Sequence, residues 1–233
     1  MDAPPSLPFL AQVTPTLHAL VTQYQQTLSA ADLGAFVEHL ERLHAGFDAV
    51  LAQAIPGPLR AEAAHLLVTR ALADVKGVTP SCQRGCAACC HYEVEVTRDE
   101  AELLAAVVAH GLPIDRARLA RQAARERGGA EWGALVTPDN RCVFLGEDDA
   151  CRAYGHRPSA CRRLLVVSPP VECGRPGGAP RPVTIPVVEL IISTTLSLPG
   201  AAYTSLAKGV SAELVWAEAL ASQARAPTDP PTP

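Results

Sequence analysis

Ser81-Cys82-Gln83-Arg84-Gly85-Cys86-Ala87-Ala88-Cys89-Cys90-His91 (residues 81–91) is the stretch on which the reading of this chain turns. Four thiols fall in the pattern Cys82-x3-Cys86-x2-Cys89-Cys90. That density exceeds what packing alone calls for, and thiolates are soft ligands that select zinc, copper(I) and iron–sulfur clusters. The Cys86-x2-Cys89 pair has the spacing at which a tight loop turns two sulfurs toward one metal, and Gly85 supplies backbone freedom beside it. In an extended segment Cys89 and Cys90 point to opposite sides. The vicinal pair therefore suits two irons of one cluster, or two separate metals, better than one tetrahedral ion.

A second block lies downstream, Cys142-x8-Cys151-x9-Cys161, its last member set in Arg157-Pro158-Ser159-Ala160-Cys161-Arg162. Seven thiols in two blocks exceed the four ligands of a structural zinc. Three arrangements fit: one iron–sulfur cluster with spare thiols, two zinc ions, or one of each. Common iron–sulfur clusters take four cysteines, often a tight run plus a distant residue. Cys82, Cys86 and Cys89 with one cysteine of the second block would satisfy that pattern, so a [4Fe–4S] cluster is the favoured expectation and zinc the alternative. The expected ligand pool is Cys82, Cys86, Cys89, Cys90, Cys142, Cys151 and Cys161. Cys173, alone before a Gly/Pro-rich loop, reads equally as a ligand or as a free thiol packed like a small hydrophobe. His91 and His156 are expected beside the thiols rather than on the metal.

Arginines crowd the second block: Arg141, Arg152, Arg157, Arg162, Arg163 and Arg175. A fork-shaped guanidinium can donate to sulfur or to an anionic ligand, and Arg157 and Arg162 are the two expected to flank the cofactor. The alternative is a solvated basic face. Pro158 is expected to fix a turn that aims Cys161. No residue is assigned a catalytic role.

The remaining sequence supplies a mainly helical housing. At 233 residues, burial can approach about 70% of the unfolded surface, so the fold does not depend on metal staples. The formal charge of -4 sets up no basic field, and with 4% aromatics no base-stacking surface is expected, so nucleic acid is not an expected partner. No apolar run reaches a membrane span, and Met1-Asp2-Ala3-Pro4-Pro5 does not read as a signal peptide. The expected location is the cytoplasm, where clustered thiols stay reduced and bind metals rather than form disulfides. There is no GxGxxG, P-loop, HExxH or GxSxG motif.

Thr14-Pro15 reads as a helix start, with Leu17, Leu20, Val21, Tyr24 and Leu28 on one stripe. A second helix is expected from about Asp32, carrying Leu33, Phe36, Val37, Leu40, Leu43, Phe47, Val50 and Leu51 at helical spacing and ending at Pro56-Gly57-Pro58. A third runs from about Leu59 to Val75, with Gly77 as its cap. Tyr92 to Val96 alternates like a strand. Thr97-Arg98-Asp99-Glu100 is a capping box opening a helix through about Ala109. Asp115 to Arg127 reads as a charged helix. Residues 138–182 read as turns and short extended pieces. Helices return over about Val187–Ser197 and Tyr203–Arg225. The expected organisation is an N-terminal helical region (1–78), a cysteine-bearing metal-binding core (79–182), C-terminal helices packed on it (183–226) and a disordered tail (227–233). Without βαβ alternation a doubly wound sheet is not expected.

The two cysteine blocks together resemble a bacterial cysteine-cluster family described as a zinc- or iron-chelating domain and often called YkgJ-like. The residues carrying the resemblance are Cys82, Cys86-Ala87-Ala88-Cys89-Cys90, Cys142-Val143-Phe144-Leu145, Cys151-Arg152-Ala153-Tyr154 and Arg157-Pro158-Ser159-Ala160-Cys161-Arg162, spanning about residues 80–165. Ala87 departs from the family pattern, which has Gly there. The resemblance implies metal or cluster binding by those cysteines. A more distant similarity to flagellin lysine methylases implies, by analogy, protein-lysine methylation with S-adenosylmethionine. The Cys-x3-Cys-x2-Cys triplet is also that of radical S-adenosylmethionine enzymes, but the barrel pattern of those enzymes is missing. The leading expectation is a metal- or cluster-binding protein. The alternatives are a cluster-dependent methyltransferase and a structural zinc module whose N-terminal helices dock a protein partner.

Overall fold

The computed structural model describes residues 7–132 and 137–224. The expected tail at 227–233 and the first residues of the Pro-rich start lie outside that range. The fold is mainly α, with only short antiparallel strand pairs among the described residues.

Three N-terminal helices come first: α1 (Pro15–Thr27), α2 (Ala30–Gln53) and α3 (Pro58–Ala73). Thr14 caps α1 by accepting from Leu17 N–H, with Pro15 at the first helical position. α2 starts earlier than Asp32, because Ser29 takes the capping position: its hydroxyl accepts from Asp32 N–H at 3.2 Å and donates to Asp32 Oδ2 at 2.6 Å. These helices bury their stripes against α8 (Pro186–Ser197). Leu17, Val21 and Leu40 meet Leu190 in one cluster, and Val68 meets Val188, Ile191 and Ile192 in another. α8 is buried on nearly all sides, which is the expected fate of a helix apolar all round. Its hydroxyls are satisfied: Thr194 and Thr195 donate within the helix to the carbonyls of Leu190 and Ile191, and Ser193 Oγ accepts from Thr14 N–H at the start of α1.

The capping box at Thr97 is present in full and opens α4 (Arg98–Ala109). α5 (Arg116–Ala123) is capped by Asp115. It ends short of Arg127 because Arg125 turns away: its guanidinium donates to Asn140 Oδ1 at 2.7 Å and lies over the Trp132 ring. α9 (Leu206–Ala224) packs on α4 and α5 around Leu104, Leu119, Val210 and Leu214.

Two strand pairs tie these layers together. β1 (Glu95–Thr97) is shorter than the alternation over 92–96 suggests. It pairs antiparallel with β4 (Tyr203–Ser205), Val96 opposite Thr204. The helical pattern places Tyr203 inside the last helix. β1 offers it ladder bonds instead, and α9 starts at Leu206, whose N–H donates to Val94 O at 2.8 Å. β2 (Leu165–Val166) pairs antiparallel with β3 (Pro182–Val183). Residues 138–182 are more helical than the sequence suggests: α6 (Ser159–Arg163) carries Cys161, and α7 (Val171–Gly174) carries Cys173.

Candidate metal centre

The first cysteine block is pinned at its start. Ser81 N–H donates to Val166 O at 2.8 Å, and Val166 N–H donates back to Cys82 Sγ at 3.4 Å. A turn follows in which Gly85 takes φ +90, a conformation glycine adopts without steric cost, and Cys86 N–H donates to Gln83 O. Cys89 and Cys90 then sit in a 3₁₀ turn over Ala88–His91 rather than in an extended segment. The turn sets their sulfurs side by side, and the Cys90 thiol donates to Cys89.

The second block is brought to the first by the backbone. Cys142 N–H donates to Cys90 O at 2.7 Å. Beyond it the chain makes a tight hairpin: Leu145 bridges Cys151, and Gly146 N–H donates to Ala150 O at 2.9 Å. A Cβ at Gly146 would meet Asp148 Oδ1 at 2.5 Å and Ala150 O at 3.2 Å, so a larger residue there would displace the Asp148 side chain and crowd the turn. Arg141 braces the turn through Asp149 Oδ1 and Gly146 O. Pro158 leads into α6, and Cys161 N–H donates to Pro158 O.

The start of α6 is held by a buried carboxylate. Glu100 Oε1 accepts from Ser159 N–H at 2.7 Å and meets His65 Nε2 at 3.0 Å, while Oε2 accepts from Thr97 N–H. Burial alone would raise the Glu100 carboxyl; the His65 contact and the two N–H donors outweigh it and hold it below its ordinary value. Sequence reasoning found Glu100 as a capping residue. Its second role was not legible, because Ser159 is distant in the chain.

Six of the seven expected ligands, Cys86, Cys89, Cys90, Cys142, Cys151 and Cys161, line one cavity of about 620 Å³. Leu104, Phe144 and Leu206 form part of its apolar wall. Cys82 stands next to this lining, held against β2. Cys173 stands on the same side. Tyr92 Oη donates to its carbonyl at 2.7 Å, and its thiol lies within electrostatic reach of Cys82, Cys86 and Cys89. His91 is buried with Nδ1 toward Ala87 O, and neither it nor His156 lines the cavity.

Burial pushes the Cys142 thiol up to about 11 and raises Cys151 and Cys161 as well. The hydrogen bond from Cys90 lowers Cys89 and raises Cys90. Among the described residues no three histidine, cysteine, aspartate or glutamate side chains are drawn together tightly enough to hold one ion. Protonated thiols lack the charge that gathers thiolates about a cation at about 2.3 Å; metal binding supplies it by displacing their protons.

Three arginines line the cavity: Arg127, which pairs with Glu95, Arg163, which pairs with Glu189, and Arg157. The Arg157 guanidinium stacks 3.8 Å from the Tyr154 ring centroid and lowers Cys89, Cys151 and Cys161 electrostatically. Its Nε is buried without a hydrogen-bond partner. Arg162, expected in a similar position, is engaged elsewhere: it donates to Arg157 O, Gly155 O and Thr69 Oγ1. It braces the Arg157 backbone rather than lining the cavity.

Among the described residues no helix is long and apolar enough to cross a membrane. No curated protein and no solved structure matches the chain. Residues 81–173, a segment that holds all eight cysteines, match the CxxCxxCC family, described as a putative zinc- or iron-chelating domain.

Proposed function

We propose that the protein holds an iron–sulfur cluster in the cysteine-lined cavity. The observation that carries this reading is the convergence of six thiols from two distant blocks on one cavity whose ligand-type side chains are dominated by sulfur. Glu93, Glu95 and Asp149 also line the cavity, but the six thiols outnumber them, and a sulfur-rich donor set favours zinc or iron–sulfur chemistry over hard cations. Six thiols round about 620 Å³ exceed the needs of a single tetrahedral ion and suit a polynuclear group. Arg157, with its unpartnered buried Nε, provides the positive counterpart that an anionic thiolate-bound group requires. When bound, such a cluster supplies one-electron redox chemistry. The protein's own contribution is the apolar wall, the N–H donors and the arginine that tune it. All eight thiols are free, which suits the reducing cytoplasm.

Anaerobic purification followed by an optical spectrum and analysis for iron, acid-labile sulfide and zinc tests this reading. Iron and sulfide in equal amounts, with a broad visible absorption that bleaches on reduction, is the expected result. A colourless protein holding zinc would replace the cluster by a structural zinc site. A protein with neither would remove the metal reading.

A further inference from the structure

Arg163 closes α6, two residues beyond Cys161, and its guanidinium donates to Glu189 Oε2 at 2.9 Å. The other ion pair at the cavity, Arg127 with Glu95, is open to solvent, and such pairs are weak. Glu189 is different: it is only 4% exposed and is the one charged residue of α8, a helix otherwise buried for its apolar character. A carboxylate taken out of water is costly unless it is paired and hydrogen-bonded. Glu189 Oε2 meets that need twice, accepting from the Thr14 hydroxyl at 2.9 Å as well as from Arg163. Thr14 in turn caps α1. The start of α1 and the end of α6 therefore meet α8 at a single carboxylate oxygen.

Stability alone does not account for this pair. A buried ion pair gains little over uncharged residues of similar volume, because desolvation offsets most of the attraction. The first turn of α8 suits a carboxylate, and Thr14 already gives Glu189 a donor. What the pairing with Arg163 adds is a fixed cation on the wall of the cavity that six thiols line. It also anchors α6, a five-residue helix whose start is held by Glu100 through Ser159 N–H at 2.7 Å. The helix that carries Cys161 is thus fixed at both ends by buried carboxylates, one from α4 and one from α8.

We propose that Glu189 is a positioning residue of the metal centre: it acts through Arg163, holding that guanidinium on the cavity wall beside the thiolates and anchoring the end of α6. This rests on the metal-binding reading of the cavity. Residues that orient ligands from behind are those whose loss typically weakens metal binding about 10–100-fold. Without its carboxylate the Arg163 side chain, 30% exposed, is free to turn to solvent.

The test is the zinc affinity of the metal-free, reduced full-length protein, measured by competition with a chromophoric chelator, together with thermal melts followed by circular dichroism. Wild type is compared with Glu189→Gln, Arg163→Met and the double variant; glutamine keeps an acceptor for Thr14. Glu189→Gln and Arg163→Met should each weaken zinc binding about 10-fold. The double variant should weaken it no further, because Glu189 acts through Arg163. It should also melt within about 4 °C of wild type, since the pair is replaced by uncharged residues of similar volume. Should a single variant fail to fold, the double variant carries the expectation of a 10-fold loss. Wild-type affinity in Glu189→Gln or in the double variant, or a further 10-fold fall in the double beyond Arg163→Met, overturns the positioning role and leaves metal binding standing. A wild type that binds neither zinc nor iron overturns both.

Discussion

The N–H of Cys142 donates to the carbonyl of Cys90 at 2.7 Å, so the last cysteine of the first block and the first of the second are joined through the main chain before any metal is considered. The two blocks therefore fold as one unit. Removing metal with a chelator under reducing conditions should loosen residues 81–91 and 142–161 together, because binding energy at such a site is folding energy. The cluster of Leu17, Leu40 and Leu190 shares no residue with the site and should persist. Hydrogen exchange with and without chelator checks this. Loss of protection in one block alone would show that they are independent.

Glu100 ties three helices to the site, and its substitution separates acid stability from metal chemistry. Glu100→Ala leaves Ser159 N–H and His65 without their buried partner and should cost about 3–5 kcal/mol. Because the folded carboxyl is held below the unfolded value of about 4.3, its contribution is present above that pH and is lost as pH falls through the folded value. Wild type should therefore lose Tm as the pH drops below about 4, while Glu100→Gln should start lower at neutral pH and fall less steeply. Parallel Tm curves for the two proteins would contradict this account.

Gly209 marks the closest approach of α9 to its neighbours. A Cβ there would meet Thr204 Cγ2 at 2.7 Å and Ala101 Cβ at 2.8 Å. Alanine is the better helix former by about 1 kcal/mol, but overpacking costs about 1–3 kcal/mol. Gly209→Ala should lower Tm by about 2–4 °C per kcal/mol of net loss. A Cβ at Gly34 in α2 would meet nothing within 4 Å, so Gly34→Ala should raise Tm instead. Thermal melts of the two variants should move in opposite directions.

Local chemistry was legible and distant pairing was not. The box Thr97-x2-Glu100 identified the start of α4, and Thr14-Pro15 that of α1, because each signal and its partner lie within one turn. The cysteine spacing marked Cys86 and Cys89 as a pair able to face one site for the same reason, and both line the cavity. That Tyr203 is a strand residue depends on Thr97, far back in the chain. That Cys173 stands beside Cys82 depends on α7 docking through Tyr92. The 3₁₀ turn at Ala88–His91 also changed the geometry of the vicinal pair, since a period-two argument holds only for extended backbone.

Arg157 and Arg162 are neighbours in one motif with different tasks, and substitution should resolve them. Arg157 stacks on Tyr154 and turns its charge to Cys89, Cys151 and Cys161, so Arg157→Leu should weaken metal affinity about 10–100-fold, measured by competition with a chromophoric chelator. Tyr154→Phe keeps the ring face and should change affinity little. Arg162 spends its donors on Arg157 O, Gly155 O and Thr69 Oγ1, so Arg162→Ala should act first on stability, by about 1–3 kcal/mol. Its effect on metal should be smaller than that of Arg157→Leu, since it reaches the site only through the backbone it braces. Equal losses of affinity in both variants would place the two guanidiniums in the same role.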